Sequence, residues 1–109
     1  MRPIPVRLLI HSATHRRPTE PDRWQNATYT DTDLTRVRIE PSSKVVKTKD
    51  NTELQLASTL FYDCRNSRPV GLDFQSGDVI VFGDQSFTVQ TVDRLYDECC
   101  LHHLEVGLI

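Results

Sequence analysis

The sequence predicts an all-β fold, a small β-barrel or two-sheet sandwich of about six strands with long loops and at most one short helical turn. Three stretches carry that expectation. In Ser76–Val92, Val79-Ile80-Val81-Phe82 is a continuous run of β-branched and aromatic residues, and Phe87 and Val89 then alternate with Thr88 and Gln90. Gly83-Asp84-Gln85 stands between the two runs, a Gly free to take positive φ followed by an Asp able to bond its own turn, so the pair reads as a hairpin. In Cys100–Ile109, Leu104, Val106 and Leu108 face one way while His103 and Glu105 face the other. A strand that reaches the last residue has to be paired inside a sheet, or its end would fray. Within Thr28–Glu40, Val37 and Ile39 share one face and Arg36 and Arg38 the other, a half-buried strand with a basic outer side.

The remaining elements follow in chain order. Pro5–His11 reads as a short strand whose prolines suit an edge or a strand start. Ser12–Asn26 is polar and rich in Arg, Pro and His; Pro18 and Pro21 rule out a regular helix, which leaves a long exposed loop or arm. Trp24 is the one large apolar group there, and it either pins the loop to the body or waits for a partner. The arginines of Thr35–Ile39 are a solvated strand face or a contact surface for an acidic partner. Pro41–Thr52 is a loop of about a dozen residues with room for a short hairpin, in which Lys44, Lys47 and Lys49 surround Val45-Val46. Leu54–Asp63 returns as a strand with Leu54, Leu56, Leu60 and Tyr62 on one face, a helix being the competing reading because Leu56 and Leu60 are four apart. Cys64–Pro69 stops that element, and Asp93–Cys99 is placed as a single helical turn.

A chain of 109 residues makes one domain, and its 26 % charged and 38 % hydrophobic residues are ordinary for a soluble globular protein. No stretch approaches the ~20 apolar residues of a membrane span, and Met1–Pro5 opens no secretory signal. Three cysteines, with Cys99 and Cys100 adjacent, do not make a disulfide framework and point to a reducing cytoplasm. The net charge of −2 conceals an asymmetry, since residues 1–49 carry ten Lys/Arg against five Asp/Glu and residues 50–109 three against ten. A basic half suits nucleic acid or an acidic partner, unless strands of the two halves interleave and blur it.

Chemistry is sparse. Cys99, Cys100, His102 and His103 include zinc-ligand types, but neighbours on a strand point to opposite faces and would not converge on one ion. His102 shares the face of Leu104 and reads as a hydrogen-bonded histidine at the core edge. Cys64 has no local base and reads as an inert thiol. There is no Gly-rich phosphate loop, and the basic residues lack the interleaved aromatics of a stacking platform. No catalytic residue, cofactor or metal is therefore expected. The candidate contact residues are Arg16, Arg17, Trp24, Arg36 and Arg38 for a protein partner, and Lys44, Lys47 and Lys49 for DNA.

Several segments in order resemble a known family: Arg2–Pro5 with Leu8–His11, Val37–Pro41, Leu60–Asp63 with Asn66–Pro69, Gly77–Phe82, and Leu101–Val106. Together they are similar to minor capsid proteins encoded in the head-completion region of tailed phages and prophages of Gram-positive bacteria. The resemblance implies a small β-barrel present as a ring in the neck of a siphophage virion, assembled in the host cytoplasm, with no enzymatic role. Its implied partners are the portal and adaptor ring, tail-completion proteins and the packaged double-stranded DNA, with no membrane. A stopper of this kind closes the DNA-filled head with a channel loop, here Ser42–Asn51; adaptor and tail-completion rings fit the resemblance as well. Alone, the chain is expected to be a monomer or weak oligomer. A free-standing nucleic-acid or peptide binder using Arg36, Arg38 and the lysine loop is the alternative.

Overall fold

The hairpin around Gly83 is the thread by which the sheet can be followed in a computed structural model, which describes residues 3–20, 23, 24, 26, 28–47, 50–98 and 100–109. Strand β6 (Val79–Phe82) turns through Gly83 at φ 60° into β7 (Gln85–Tyr96), with Val79 opposite Thr88 and Phe82 opposite Gln85. β7 pairs with β8 (Leu101–Leu108), β8 with β5 (Ser58–Asp63), β5 with β2 (Thr28–Pro41), and β2 with β1 (His11–Thr19). β1 then meets β6 through Thr14–Arg16, so the order β1-β2-β5-β8-β7-β6 closes into an antiparallel barrel. Two short strands, β3 (Val45–Lys47) and β4 (Glu53–Gln55), pair only with each other.

Alternation along the strands fills the interior. Leu34, Val37 and Ile39 of β2, Leu60 and Tyr62 of β5, Ile80 of β6, Val89 of β7, and Leu104, Val106 and Leu108 of β8 form one buried cluster. A barrel of about eight strands has an interior just wide enough for side chains to fill, and six strands enclose less, so this interior is a packed core. One end is closed by the 64–78 loop, whose Phe74 stands edge-to-face to Tyr62 at 5.5 Å and to His15 at 5.1 Å between ring centres. The Tyr62 hydroxyl donates to the carbonyl of Pro69 and accepts from the Leu72 N–H, fixing the loop across that end.

Four expectations are corrected. Pro5–His11 is not a strand: Val6–Leu8 is a 3-10 turn, with Pro5 at φ −58° and the N–H groups of Leu8 and Leu9 bonded to the carbonyls of Pro5 and Val6. Only Leu9 of that segment is buried, whereas Val6, Leu8 and Ile10 are exposed. Ser12–Asn26 is no open loop through most of its length, because β1 occupies His11–Thr19. Pro18 is tolerated there since the β1–β6 pairing ends at Arg16, and a missing N–H matters little where a strand is paired on one side only. The Leu54–Asp63 strand is interrupted at Leu56-Ala57. Leu60 and Tyr62 go into the core, but Leu56 is buried on the outer wall over Gly107, where a Cβ would lie 2.8 Å from its Cδ1. Finally, Asp93–Tyr96 continues β7 instead of forming a helical turn, because it pairs with Leu101–Glu105; Cys99 lies outside the described residues.

A bulge sets the course of β2. His11 is opposite Val37 and Ala13 opposite Leu34, so Thr35 and Arg36 together oppose Ser12. Arg36 takes φ 55°, Thr35 exchanges backbone hydrogen bonds of 3.0 Å with Arg68, and the Ser67 hydroxyl donates to the Arg36 carbonyl. The extra residue thus keeps both Leu34 and Val37 inside while tying β2 to the 64–78 loop.

Candidate functional site

The surfaces offered to a partner are set by β2, whose fourteen residues outrun the barrel wall in both directions. At its start, Thr28, Tyr29 and Thr30 pair with Thr19, Pro18 and Arg17, beyond the last β1–β6 pair at Arg16 and Val79. This two-stranded arm carries an exposed aromatic and basic group. Trp24 at its tip is 70 % exposed, with the Arg23 guanidinium 4.8 Å from its ring centre. Tyr29 is half exposed beneath the Arg16 guanidinium at 5.7 Å, and Arg16 is itself paired with Asp31 at 2.9 Å. Trp24 therefore presents most of its surface to solvent.

At the other end of β2, the ladder with β5 runs on past Pro41 and Ser58. The Ser42 N–H donates to the Ala57 carbonyl, the Leu56 N–H to that of Lys44, and β3 and β4 continue from there. The hairpin holds Lys44 and an exposed Lys47, while Lys49 lies outside the described residues. Lys44 reaches Asp93 of β7 at 3.8 Å, and Leu56 sits on Gly107, so the root of the hairpin is fixed to the barrel wall. Because one strand feeds both, the arm and the lysine hairpin leave opposite ends of the barrel.

Two of the remaining basic candidates are committed within the chain. Arg17 turns inward, its Nη2 donating to Asp78 Oδ2 at 3.0 Å and to the Asp73 carbonyl at 2.8 Å. Arg38 contacts Glu40 at 2.5 Å and the Leu8 carbonyl at 3.1 Å, and Arg36 stands exposed at the bulge. Thus Arg16 and Trp24 share the arm, Arg17 supports its base, Arg36 and Arg38 line the wall, and the lysines are elsewhere. No single patch unites them. The strands of the two halves do not interleave, since β1 and β2 are neighbours and β5, β8, β7 and β6 are contiguous.

Sequence reading missed a buried polar cluster at the base of the arm. Asp78, 3 % exposed, accepts from His15 Nε2 at 2.7 Å, from Arg17 and from the Gln75 N–H at 2.9 Å. Burial pushes the Asp78 carboxyl up, but the hydrogen bonds from Arg17, His15 and Gln75 outweigh it and hold the group below the usual carboxylate range. A His–Asp pair resembles a base with its orienting group, yet His15 is 2 % exposed, and its ring nitrogen and one edge are taken up by Asp78 and Phe74. What the cluster does is tie β1 to the turn entering β6. The alternation of β1 was the available signal, because His15 occupies an inward position between outward polar ones.

Beside this cluster, on the arm's end of the barrel, an apolar recess of about 280 Å³ is lined by Tyr62, Cys64, Val70, Leu72, Leu101 and Leu104. Burial pushes the Cys64 thiol up, with the charges of Asp63 and Cys100 adding to the effect, so it is a poor nucleophile. At the same end, His102 and His103 approach through their Nδ1 atoms at 2.7 Å, their rings meeting edge-to-face although they are neighbours on β8. Among the described residues no group of three or more His, Cys, Asp or Glu side chains is placed to hold a metal ion.

Comparison with known proteins places this geometry. No curated protein matches the chain. A family model described as "Minor capsid protein" matches residues 5–108, from the 3-10 turn through the last strand, and a six-strand barrel with two projecting hairpins is what the matched sequence builds. By that match the chain belongs to the phage minor capsid protein family, a family of structural virion components.

Proposed function

We propose that this chain is a ring component of the phage head–tail connector, in the stopper or head-closure position. There it retains packaged DNA with its lysine hairpin and offers the opposite end to a neighbouring neck ring. One observation carries the reading: a closed barrel from whose two ends different hairpins project, one basic at Lys44 and Lys47, the other aromatic at Trp24 and Tyr29. A neck ring has to meet unlike surroundings above and below, and one long strand, β2, joins both contact elements through the barrel. In a ring the lysines of successive hairpins would surround one duplex, so weak single contacts add through avidity.

Replacing residues 45–55 by Asn-Gly tests the gate. Lys44 and Leu56 already share a backbone hydrogen bond, so a two-residue turn closes the ladder there and the barrel stays folded. Phage carrying this variant are expected to package DNA and then lose it, giving empty heads by electron microscopy. DNA-filled heads joined to tails would remove the gate from the account. The free-standing nucleic-acid binder is disfavoured because Arg38, one of the groups it would draw on, is spent on Glu40 and the Leu8 carbonyl. It also predicts a steep salt dependence of DNA binding by the monomer.

A further inference from the structure

We infer that the apolar recess is a socket for Trp24 of a second copy of this chain, so that successive subunits engage arm-to-recess around a ring and the exposed Tyr29 is left for the neighbouring neck ring. The inference rests on the ring reading above and adds the contact that would close the ring. Four observations lead to it. The recess is lined by Leu72, Leu101, Leu104, Tyr62 and Cys64 under an outer lip formed by Val70, which is 66 % exposed. Its volume of about 280 Å³ has room for one large aromatic side chain. The chain exposes one tryptophan, at the tip of an arm that holds it 70 % open to water. Trp is the side chain most enriched at the energetic centres of interfaces, because it buries a large area at small entropic cost.

Charge and placement select a second copy as the occupant. Arg23 lies against the Trp24 ring, and the turn adjoining Leu101 carries Asp97 and Glu98, so an inserted Trp24 brings its cation to an acidic lip. Of the basic groups on the other rim, Arg94 is paired with Asp73 at 2.7 Å and Arg68 turns back onto the carbonyls of Arg65 and Ser67. Arm, 64–78 loop and β7–β8 turn all lie at the same end of the barrel. Copies related by rotation therefore present knob and socket at the same end, and an arm that leans toward its neighbour can bring its tip to the recess. A contact between two different patches is heterologous, and when the rotation closes it makes a ring.

The single tryptophan makes the test direct. With the purified full chain raised from micromolar to millimolar, the emission of Trp24 is expected to shift to shorter wavelength and its quenching by acrylamide to fall several-fold. Val70→Asp and Trp24→Ala, both at exposed positions that leave the melting transition in place, are each expected to stay monomeric. Mixed together, the two variants are expected to give a dimer and nothing larger, because Val70→Asp supplies the only intact knob and Trp24→Ala the only intact socket. Self-association that leaves Trp24 quenchable overturns the inference, as does a monomer at millimolar concentration. So does a Trp24 already shielded at micromolar concentration, which would place it in its own chain's recess. Any of these in a chain still found in the neck of assembled particles refutes the contact alone; absence from the neck refutes the ring reading itself.

Discussion

Asp78→Asn is the substitution whose consequence can be worked furthest from the structure. The carboxylate is almost wholly buried, and Oδ2 alone accepts from His15, Arg17 and the Gln75 N–H at 2.7, 3.0 and 2.9 Å. An asparagine can place its oxygen at Oδ2, but its NH₂ then meets the Arg17 Nε that Oδ1 now faces at 3.4 Å. Charge-assisted bonds become neutral ones, a loss of about 1 kcal/mol each, and one donor is set against another. Arg17 is a third exposed and can recover part of its hydration, so the total comes to about 2 kcal/mol rather than the ~3–5 of a fully buried broken pair. For a domain of this size that lowers Tm by about 10 °C.

The pH dependence supplies a second reading of the same site. A carboxyl held below its ordinary value contributes stability that is fully present above the unfolded Asp pKa of about 3.9 and is lost as pH falls through the folded value. Calorimetric melts of wild type and Asp78→Asn should therefore differ most near neutral pH and converge below about pH 4. A gap of equal size on both sides of that window, or a variant melting within about 2 °C of wild type at pH 7, would show that the cluster does not hold β1 to β6 as argued.

Other outcomes follow from single contacts. Deleting residues 105–109 removes the fully buried Val106 and Leu108, worth roughly 1.5–3 kcal/mol each, and leaves β5 and β7 without the strand between them. The product should be aggregated or unfolded, and a soluble, cooperatively melting truncation would contradict the placement of β8. Gly107→Ala should lower stability by about 1–2 kcal/mol, because the new methyl meets Leu56 and the Thr91 hydroxyl on the outer wall. Adding Leu56→Ala should then cost less than it does in the wild-type background, a coupling that a double-mutant cycle in urea reads directly.

How far the sequence could be read depended on which side chains face inward. β6, the first half of β7, the end of β2 and β8 were legible, because their inward positions hold Ile80, Val89, Val37, Ile39, Leu104, Val106 and Leu108. β1 was not, since its inward positions are filled by Ala13 and His15, and its two-proline neighbourhood argued for a loop. Leu54–Asp63 looked continuous because the period-2 pattern runs through Leu56, and only the bare backbone of Gly107 explains why that leucine belongs to the outer wall. The Asp78 cluster was hidden for a different reason: its members are 63 residues apart in sequence, and no local pattern announces a pairing made by closure of the barrel. The lysine hairpin was visible as a segment, whereas its position opposite the Trp24 arm depended on the course of β2.

That course also decides what the charge asymmetry means. Strands β1 and β2 lie side by side, so the basic half is not dispersed by interleaving. Three of its arginines are nevertheless matched, Arg16 with Asp31, Arg17 with Asp78 and Arg38 with Glu40. The exposed pairs of Arg16 and Arg38 add little stability, typically under about 1 kcal/mol each. Their effect is on where positive potential survives, because a paired arginine on the barrel wall attracts an incoming phosphate far less than an isolated cation would. Exposed basic groups remain at Arg36 on the bulge, at Arg23 beside Trp24 at one end and at Lys47 of the hairpin at the other. On the neck reading proposed above, the arm at one end and the lysine hairpin at the other would give each contact its own end of the barrel.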